Sequence, residues 1–380
     1  MSSPTVPTRV TGRLVGVWTV AGLDLRTRLR GRWPWVLATW TVLLLVLTGL
    51  VRWAVSQSGQ IYDPGLNKLV PDTRPLGPPV FGSLLMIILG LGLLVVPSFT
   101  ASGINGERER GTLAVLQATL LRPWEITVGK LVAGIESTGV LLIAAIPALA
   151  WSWALGGMTA LEIVRTMLGV LLVFAVVVSV SLACSGLLAR PIASAMVSYL
   201  VVAGLCLGTV VIFAIGVSAT ADSKTVYQKQ DIWVDAQGNE QLFPTDQNNP
   251  NQPPTKTVTS SFQLRDNRPD KVWWLLAPNP LVIVADLAPF RVPLIINGQP
   301  YRDDRDPLVL LQDNIMDLRS PPAPLDENGN PIQTTHSERG PLLWPGGITI
   351  VSVFGLAGCV LSARRLRTPY GRLPRGVRVA

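Results

Sequence analysis

Six long apolar stretches limit what this chain can fold into more than any other feature. They run from Pro34 to about Val55, Val80 to about Ala101, about Leu131 to Leu155, Ile163 to about Leu188, Ile192 to Val217, and Leu342 to Ala363. Hydrocarbon about 30 Å thick is crossed by about 20 residues of helix, and each stretch meets that length. Backbone groups in hydrocarbon must be satisfied inside their own segment, which leaves helices or a closed barrel. Only 15% of the 380 residues are charged and 48% are hydrophobic, whereas a soluble chain carries about a quarter charged residues. The expectation is an all-α polytopic membrane protein with six transmembrane helices, five within 34–217 and the sixth at 342–363. Its abundant small residues suit close helix packing. Pro97 and Pro147 should kink their helices, and Pro191 fits a tight turn between the fourth and fifth.

Orientation follows from the arginines. Arg9, Arg13, Arg26, Arg28, Arg30 and Arg32 precede the first span against one acid, Asp24, and six arginines between Arg364 and Arg378 follow the last. Arg108, Arg110, Arg122 and Arg190 fall in connections on the same side. Positive charge beside spans stays cytoplasmic, so both termini are expected inside a bacterial plasma membrane. The net charge of +8 then marks topology and contact with anionic lipid headgroups rather than nucleic acid. Within 1–33, Leu14, Trp18, Ala21, Leu25 and Leu29 recur at helical spacing beside the arginines. That pattern predicts an amphipathic elbow helix in the membrane interface. Residues 364–380 form a basic cytoplasmic tail.

The polar region between helices 5 and 6, residues 218–341, carries eleven Lys or Arg and sixteen Asp or Glu. It reads as a large extracellular loop domain of mixed, partly irregular, β-containing structure. Thr225 to Val234 and Thr255 to Leu264 read as strands, and Leu294 to Tyr301, centred on Asn297-Gly298, as a hairpin. Residues 271–290, with Trp273-Trp274 and two interrupting prolines, suit a re-entrant or interfacial segment. Phe243 to Thr257 has little to bury. The shorter loop from Ser56 to Pro79 should pack against the larger one.

Few signs of chemistry stand out. There is no nucleotide-cradling G-x-x-x-x-G-K-[ST] loop; Gly129-Lys130 lacks the upstream glycine, and Leu131 replaces the hydroxyl residue. The single histidine, His336, has no cysteine near it, so no metal site is expected. Cys184, Cys206 and Cys359 lie in apolar spans as packing residues. Among intramembrane charges, Glu136 is expected to pair with Lys130 or Arg190.

Between the second and third spans stands Glu107-Arg108-Glu109-Arg110-Gly111-Thr112, then Ala118-Thr119, Trp124-Glu125-Ile126 and Gly129-Lys130. This order resembles the ABC-2 family of ABC-transporter permeases, with its E-x-E-x-G-T turn followed by T-P-L-x-x-W-E-I-x-x-G-K. Leu120 occupies the family's proline position, and Pro123 stands where a basic or polar residue is usual. The resemblance implies a cytoplasmic coupling helix at about 105–120 that docks into a separate ATP-binding subunit. ATP and magnesium would bind that partner, and this chain would hold no cofactor and no catalytic residue. It further implies a pair of ATP-binding subunits and a second permease, the same chain or a related one.

Under that resemblance Glu107 and Glu109 begin the coupling helix at its positive dipole end, and Arg108 and Arg110 project toward the partner. Gly111 and Thr112 allow close approach, Leu113, Leu116 and Leu120 form an apolar stripe, and Trp124 and Glu125 hold the return path. The implied activity is export of a lipid, glycan or hydrophobic drug-like substrate. A non-transporting membrane scaffold or sensor, whose extracellular domain binds a partner, is the alternative. A secondary carrier is disfavoured by the lack of intramembrane carboxylate rows.

Overall fold

Apolar length becomes helix throughout the chain. A computed structural model describes residues 9–31, 33–57, 60–63, 68–72, 74–111, 123–234, 240–241, 256–288, 294–296, 299–301, 305–320 and 343–366. Most of these residues are helical, and six helices are long and apolar enough to cross a membrane. Two compact units emerge. The first holds residues 1–209, 276–314 and 342–380, and the second residues 210–275 and 315–341.

In the first unit, α1 (Arg9–Arg30) is followed by α2 (Trp33–Ser56) and a hairpin, β1 (Gln60–Asp63) with β2 (Lys68–Pro71). Next come α3 (Gly77–Thr100), the short α4 (Asn105–Glu109), α5 (Pro123–Ala144), α6 (Ile146–Ala154), α7 (Ala160–Leu187) and α8 (Pro191–Ala203). A π turn, Gly204–Gly208, joins α8 to α9 (Thr209–Ala219), which from Val210 onward belongs to the second unit. After the second unit's strands, the first unit resumes with α10 (Pro280–Leu287), and α12 (Trp344–Arg365) is the last helix among the described residues. Between them, β6 (Leu294–Ile296) and β7 (Gln299–Tyr301) pair antiparallel, as the Asn-Gly spacing suggests, and α11 (Pro307–Arg319) follows.

The third span differs from its sequence reading. Helix begins at Pro123, before the apolar run, so Glu125 and Lys130 lie within it and are buried. Proline suits a first helical turn because the amide it lacks would be unpaired there. Pro147 breaks the helix, with the chain turning at Ala145 before α6. Pro97 stays within α3.

Most of α3 and α7 is buried, whereas little of α2 and of the α8–α9 span is. Phe81, Leu84, Leu85, Ile88 and Leu89 of α3 and Phe174 of α7 form the core. Helix α1 lies on α5 and presents Val17, Val20 and Ala21, all buried. Of the apolar stripe read from the sequence, Ala21 is buried in this contact, Leu25 is half-buried and Trp18 is 62% exposed. The reason is Gly129 of α5, where a Cβ would come within 2.8 Å of the Val20 Cβ and 3.0 Å of the Val17 carbonyl. Helix α1 settles where α5 has no side chain.

Segment 276–288 is tied into the first unit by its polar groups. The Asn279 carboxamide oxygen caps α10 by accepting from the Leu281 amide (2.9 Å), and its nitrogen donates to the Cys206 carbonyl (2.9 Å) and the Thr209 hydroxyl (3.0 Å). A π turn leaves a carbonyl out of the regular ladder, and Asn279 satisfies one there. Asp286 accepts from the Leu343 and Trp344 amides (2.6 and 3.0 Å) at the start of α12.

Residues 60–72 are linked to residue 305 by charge. The Asp72 side chain, 2% exposed, meets Arg74 at 2.7 Å and Arg305 at 2.8 Å. The Arg74 guanidinium hydrogen-bonded to Asp72 is the main reason its carboxyl titrates below the ordinary range. A depressed carboxyl stabilises the fold above its ordinary value, about 4, and that stability is lost as pH falls through the depressed one. Amide exchange in β1–β2, corrected for intrinsic rate, should stay slow from neutral pH to about pH 5 and speed up only below about pH 4. In Asp72→Asn it should be fast at every pH; slow exchange in that variant would show the ion pairs do not hold the hairpin.

In the second unit, β3 (Asp222–Val234) pairs antiparallel with β5 (Lys256–Asp266) from Asp222↔Asp266 to Ile232↔Lys256, and β4 (Glu240–Gln241) flanks β3. Both strands were legible in the sequence. At the base of the ladder Lys271 meets Asp222 at 3.2 Å, the Thr220 hydroxyl donates to the Arg268 carbonyl, and Arg319 stands 5.7 Å over Trp273. Asn239 and most of the stretch from Phe243 to Thr257, together with His336, lie outside the described residues.

Candidate functional site: the charged turn between the second and third spans

The turn is rooted in the bundle. After α3 the chain turns through Ala101–Ile104 into α4. Ser185 of α7 accepts from the Ile104 and Asn105 amides (2.9 and 3.2 Å) and donates to the Asn105 side-chain oxygen (3.0 Å). All three residues are fully buried. A helix end leaves amides that need outside acceptors, and a serine 80 residues away supplies one. Ser194 of α8 donates to the Ala101 carbonyl at 2.7 Å. Ile104 packs with Leu182, Leu366 and Leu131, drawing α5, α7 and the end of α12 to the same point. Arg365 donates to the Leu187 carbonyl beside it.

Lys130 is the electrostatic centre of the site. Its ammonium lies 2.6 Å from Glu107 Oε1 and 4.0 Å from Asp24 Oδ1, with 5% of its side chain exposed. Lys130 therefore joins α5, α4 and α1, and Glu136 pairs with neither Lys130 nor Arg190. The difference has a simple cause: Glu136 lies on another face of α5, and Arg190 is exposed past the end of α7. Asp24, Phe99, Ser102, Gly103, Glu107, Arg110 and Lys130 line a polar cleft of about 250 Å³.

The sequence-derived site residues separate into distinct roles of place. Glu107 points inward to Lys130 and is 18% exposed, instead of facing water. Arg108 is half-buried, and Glu109 and Arg110 are exposed. Arg110 also donates to the Gly106 carbonyl at 3.1 Å. Glu125 is buried in the first turn of α5, where the positive dipole end favours an acid, and Trp124 beside it is half-buried. Of the expected coupling helix over about 105–120, the described part is α4, which ends at Glu109 before Gly111 takes φ 73°, a left-handed conformation that stops a helix. Thr112, Leu113, Leu116 and Leu120 lie outside the described residues.

Sequence reasoning missed Asp24 and Ser185. Asp24 carried a signal, being the only acid in an arginine-rich segment, but Ser185 sits in an apolar span among other small residues and carried none. No protein-family model and no curated protein matches this chain.

Proposed function

We propose that this chain is the membrane-spanning permease subunit of an ATP-driven exporter, with the turn 105–111 as the contact for a separate ATP-hydrolysing subunit. The observation that carries this reading is a short charged helix buried at its root and exposed at its tip. Asn105 and Gly106 are buried, Glu107 is held by Lys130, and Glu109 and Arg110 meet water. A purely solvated loop has no need of such anchoring. A push on the tip would reach α3 through the chain, α5 through Lys130, α7 through Ser185 and α1 through Asp24, so these helices would shift as a body. The arginine distribution puts the turn and both termini in the cytoplasm and residues 218–341 outside. ATP and magnesium would bind the partner, two ATP-binding subunits would serve a pair of permeases, and the substrate would be a lipid, glycan or hydrophobic drug-like molecule.

Glu109 and Arg110 provide the test because the fold does not depend on their charge. Glu109→Ala with Arg110→Ala should insert and express as wild type and melt within about 0.5 kcal/mol of it. Affinity purification from native membranes should nevertheless recover much less ATP-hydrolysing subunit, because a desolvated charge at an interface is worth roughly 2–5 kcal/mol. Recovery of the partner at wild-type yield and ATPase rate would reject the coupling role and favour a non-transporting scaffold.

A further inference from the structure

Pro97 gives α3 a weak point, and α8 spans it. A proline inside a helix supplies no amide to the carbonyl four residues back and loosens the ladder there. In hydrocarbon the loosened backbone groups find partners on neighbouring helices or on hydroxyl side chains. The bonds around Pro97 follow that need. Before it, the Tyr199 hydroxyl of α8 donates to the Leu94 carbonyl at 2.8 Å, and the Ser98 hydroxyl to the Val95 carbonyl at 2.6 Å. After it, the Ser194 hydroxyl of α8 donates to the Ala101 carbonyl at 2.7 Å. Helix α8 thus grips this strand of backbone once on each side of the proline. Ala101 is also the residue at which α3 gives way to the charged turn.

A grip at two points has a geometric consequence. Ser194 and Tyr199 stand five residues apart within α8, a fixed separation of about 7.5 Å along its axis at 1.5 Å per residue. Their acceptors stand on opposite sides of the proline, so the distance between them changes whenever α3 bends there. Both hydrogen bonds are therefore made at one bend angle, and any other angle breaks one of them. The rest of the seat is small, for α8 buries only Ser194, Ser198 and Val202. Lipid is as good a neighbour as protein for its apolar remainder. Leu94 is 59% exposed, yet hydrocarbon offers no water to replace the Tyr199 hydroxyl. The contact is either made or lost.

We propose that Ser194 and Tyr199 form a brace that sets the bend of α3 at Pro97 and so couples the position of the turn 105–111 to the seating of α8. A shift of the turn that changes the bend releases α8 from α3, and α8 seated on both carbonyls holds the turn in place. The use of that shift in transport rests on the permease reading above; the brace itself does not. The test is amide hydrogen exchange at Ser98, Phe99 and Thr100, directly past the proline, in the full chain in phosphatidylcholine nanodiscs without the ATP-hydrolysing partner. Tyr199→Phe and Ser194→Ala should each speed exchange about threefold to twentyfold, the range of a hydrogen bond between membrane helices. Either loss frees the bend, so the double variant should exchange no faster than the faster single one. Pro97→Ala restores the missing amide and removes the weak point, so adding Tyr199→Phe to it should leave exchange unchanged.

Wild-type exchange in both single variants would overturn the proposal. So would a double variant whose acceleration is the product of the two, since that marks independent bonds rather than a brace. Equal acceleration by Tyr199→Phe with and without a folded Pro97→Ala would overturn it as well. Should Pro97→Ala fail to fold, the single and double variants decide by themselves. A chain that recovers its ATP-hydrolysing partner but fails these measurements loses the brace and keeps the coupling turn. One that passes them and recovers no partner keeps the brace and loses the coupling role.

Discussion

Lys130→Met is expected to lower the unfolding free energy by about 3–5 kcal/mol, the cost of removing one partner of a buried ion pair. Methionine fills nearly the same volume, so the loss is one of charge. The ammonium 2.6 Å from Glu107 and 4.0 Å from Asp24 balances two acids that are themselves mostly shielded from water. Without it, both carboxylates lose the ammonium held against them, and α4 and α1 lose their shared tie to α5. Adding Glu107→Gln should return part of the loss, because the carboxylate nearest the gap is then neutral; coupling between contacting residues is typically about 0.5–3 kcal/mol. Denaturant titrations of the four proteins in one lipid give the cycle. A single variant within about 0.5 kcal/mol of wild type would show that water already screens the pair.

The second large effect is steric. Gly129→Val places a branched side chain where even a Cβ would crowd the Val20 Cβ at 2.8 Å and the Val17 carbonyl at 3.0 Å. The carbonyl belongs to helical backbone and cannot swing aside, so α1 must lift from α5. Overpacking of this kind costs about 1–3 kcal/mol. The lifted helix should be cut faster by trypsin at Arg26, which is exposed yet held in a packed helix. Cleavage at the wild-type rate, with an unchanged melting temperature, would show that the contact is looser than the geometry implies.

The parts of this molecule legible in its sequence are those whose cause is local. Six spans follow from apolar length alone, since hydrocarbon thickness sets the count of residues. Strands β3 and β5 follow from alternating composition, and the β6–β7 pairing from Asn297-Gly298. What escaped depends on residues far apart in the chain. Lys130 reaches Asp24, Asn105 reaches Ser185, Asn279 reaches Cys206, and Asp72 reaches Arg305. A serine or lysine in an apolar span has no sequence neighbour that names its partner. The seat of α1 escaped for a related reason. Hydrophobic periodicity identifies an apolar stripe, which includes the buried Ala21, but the helix docks on a missing side chain, Gly129, which periodicity in α1 cannot report.

The acceptor at Asp286 bears on how the protein is made. The amides of Leu343 and Trp344 are among those that a helix cannot satisfy from within, and their carboxylate lies 57 and 58 residues upstream. A ribosome therefore delivers α10 well before α12. The last span has somewhere to begin only when that earlier segment is already seated. A defect that unseats α10, such as loss of the Asn279 cap, is thus inherited by α12, which leaves the ribosome later, although its own sequence is intact.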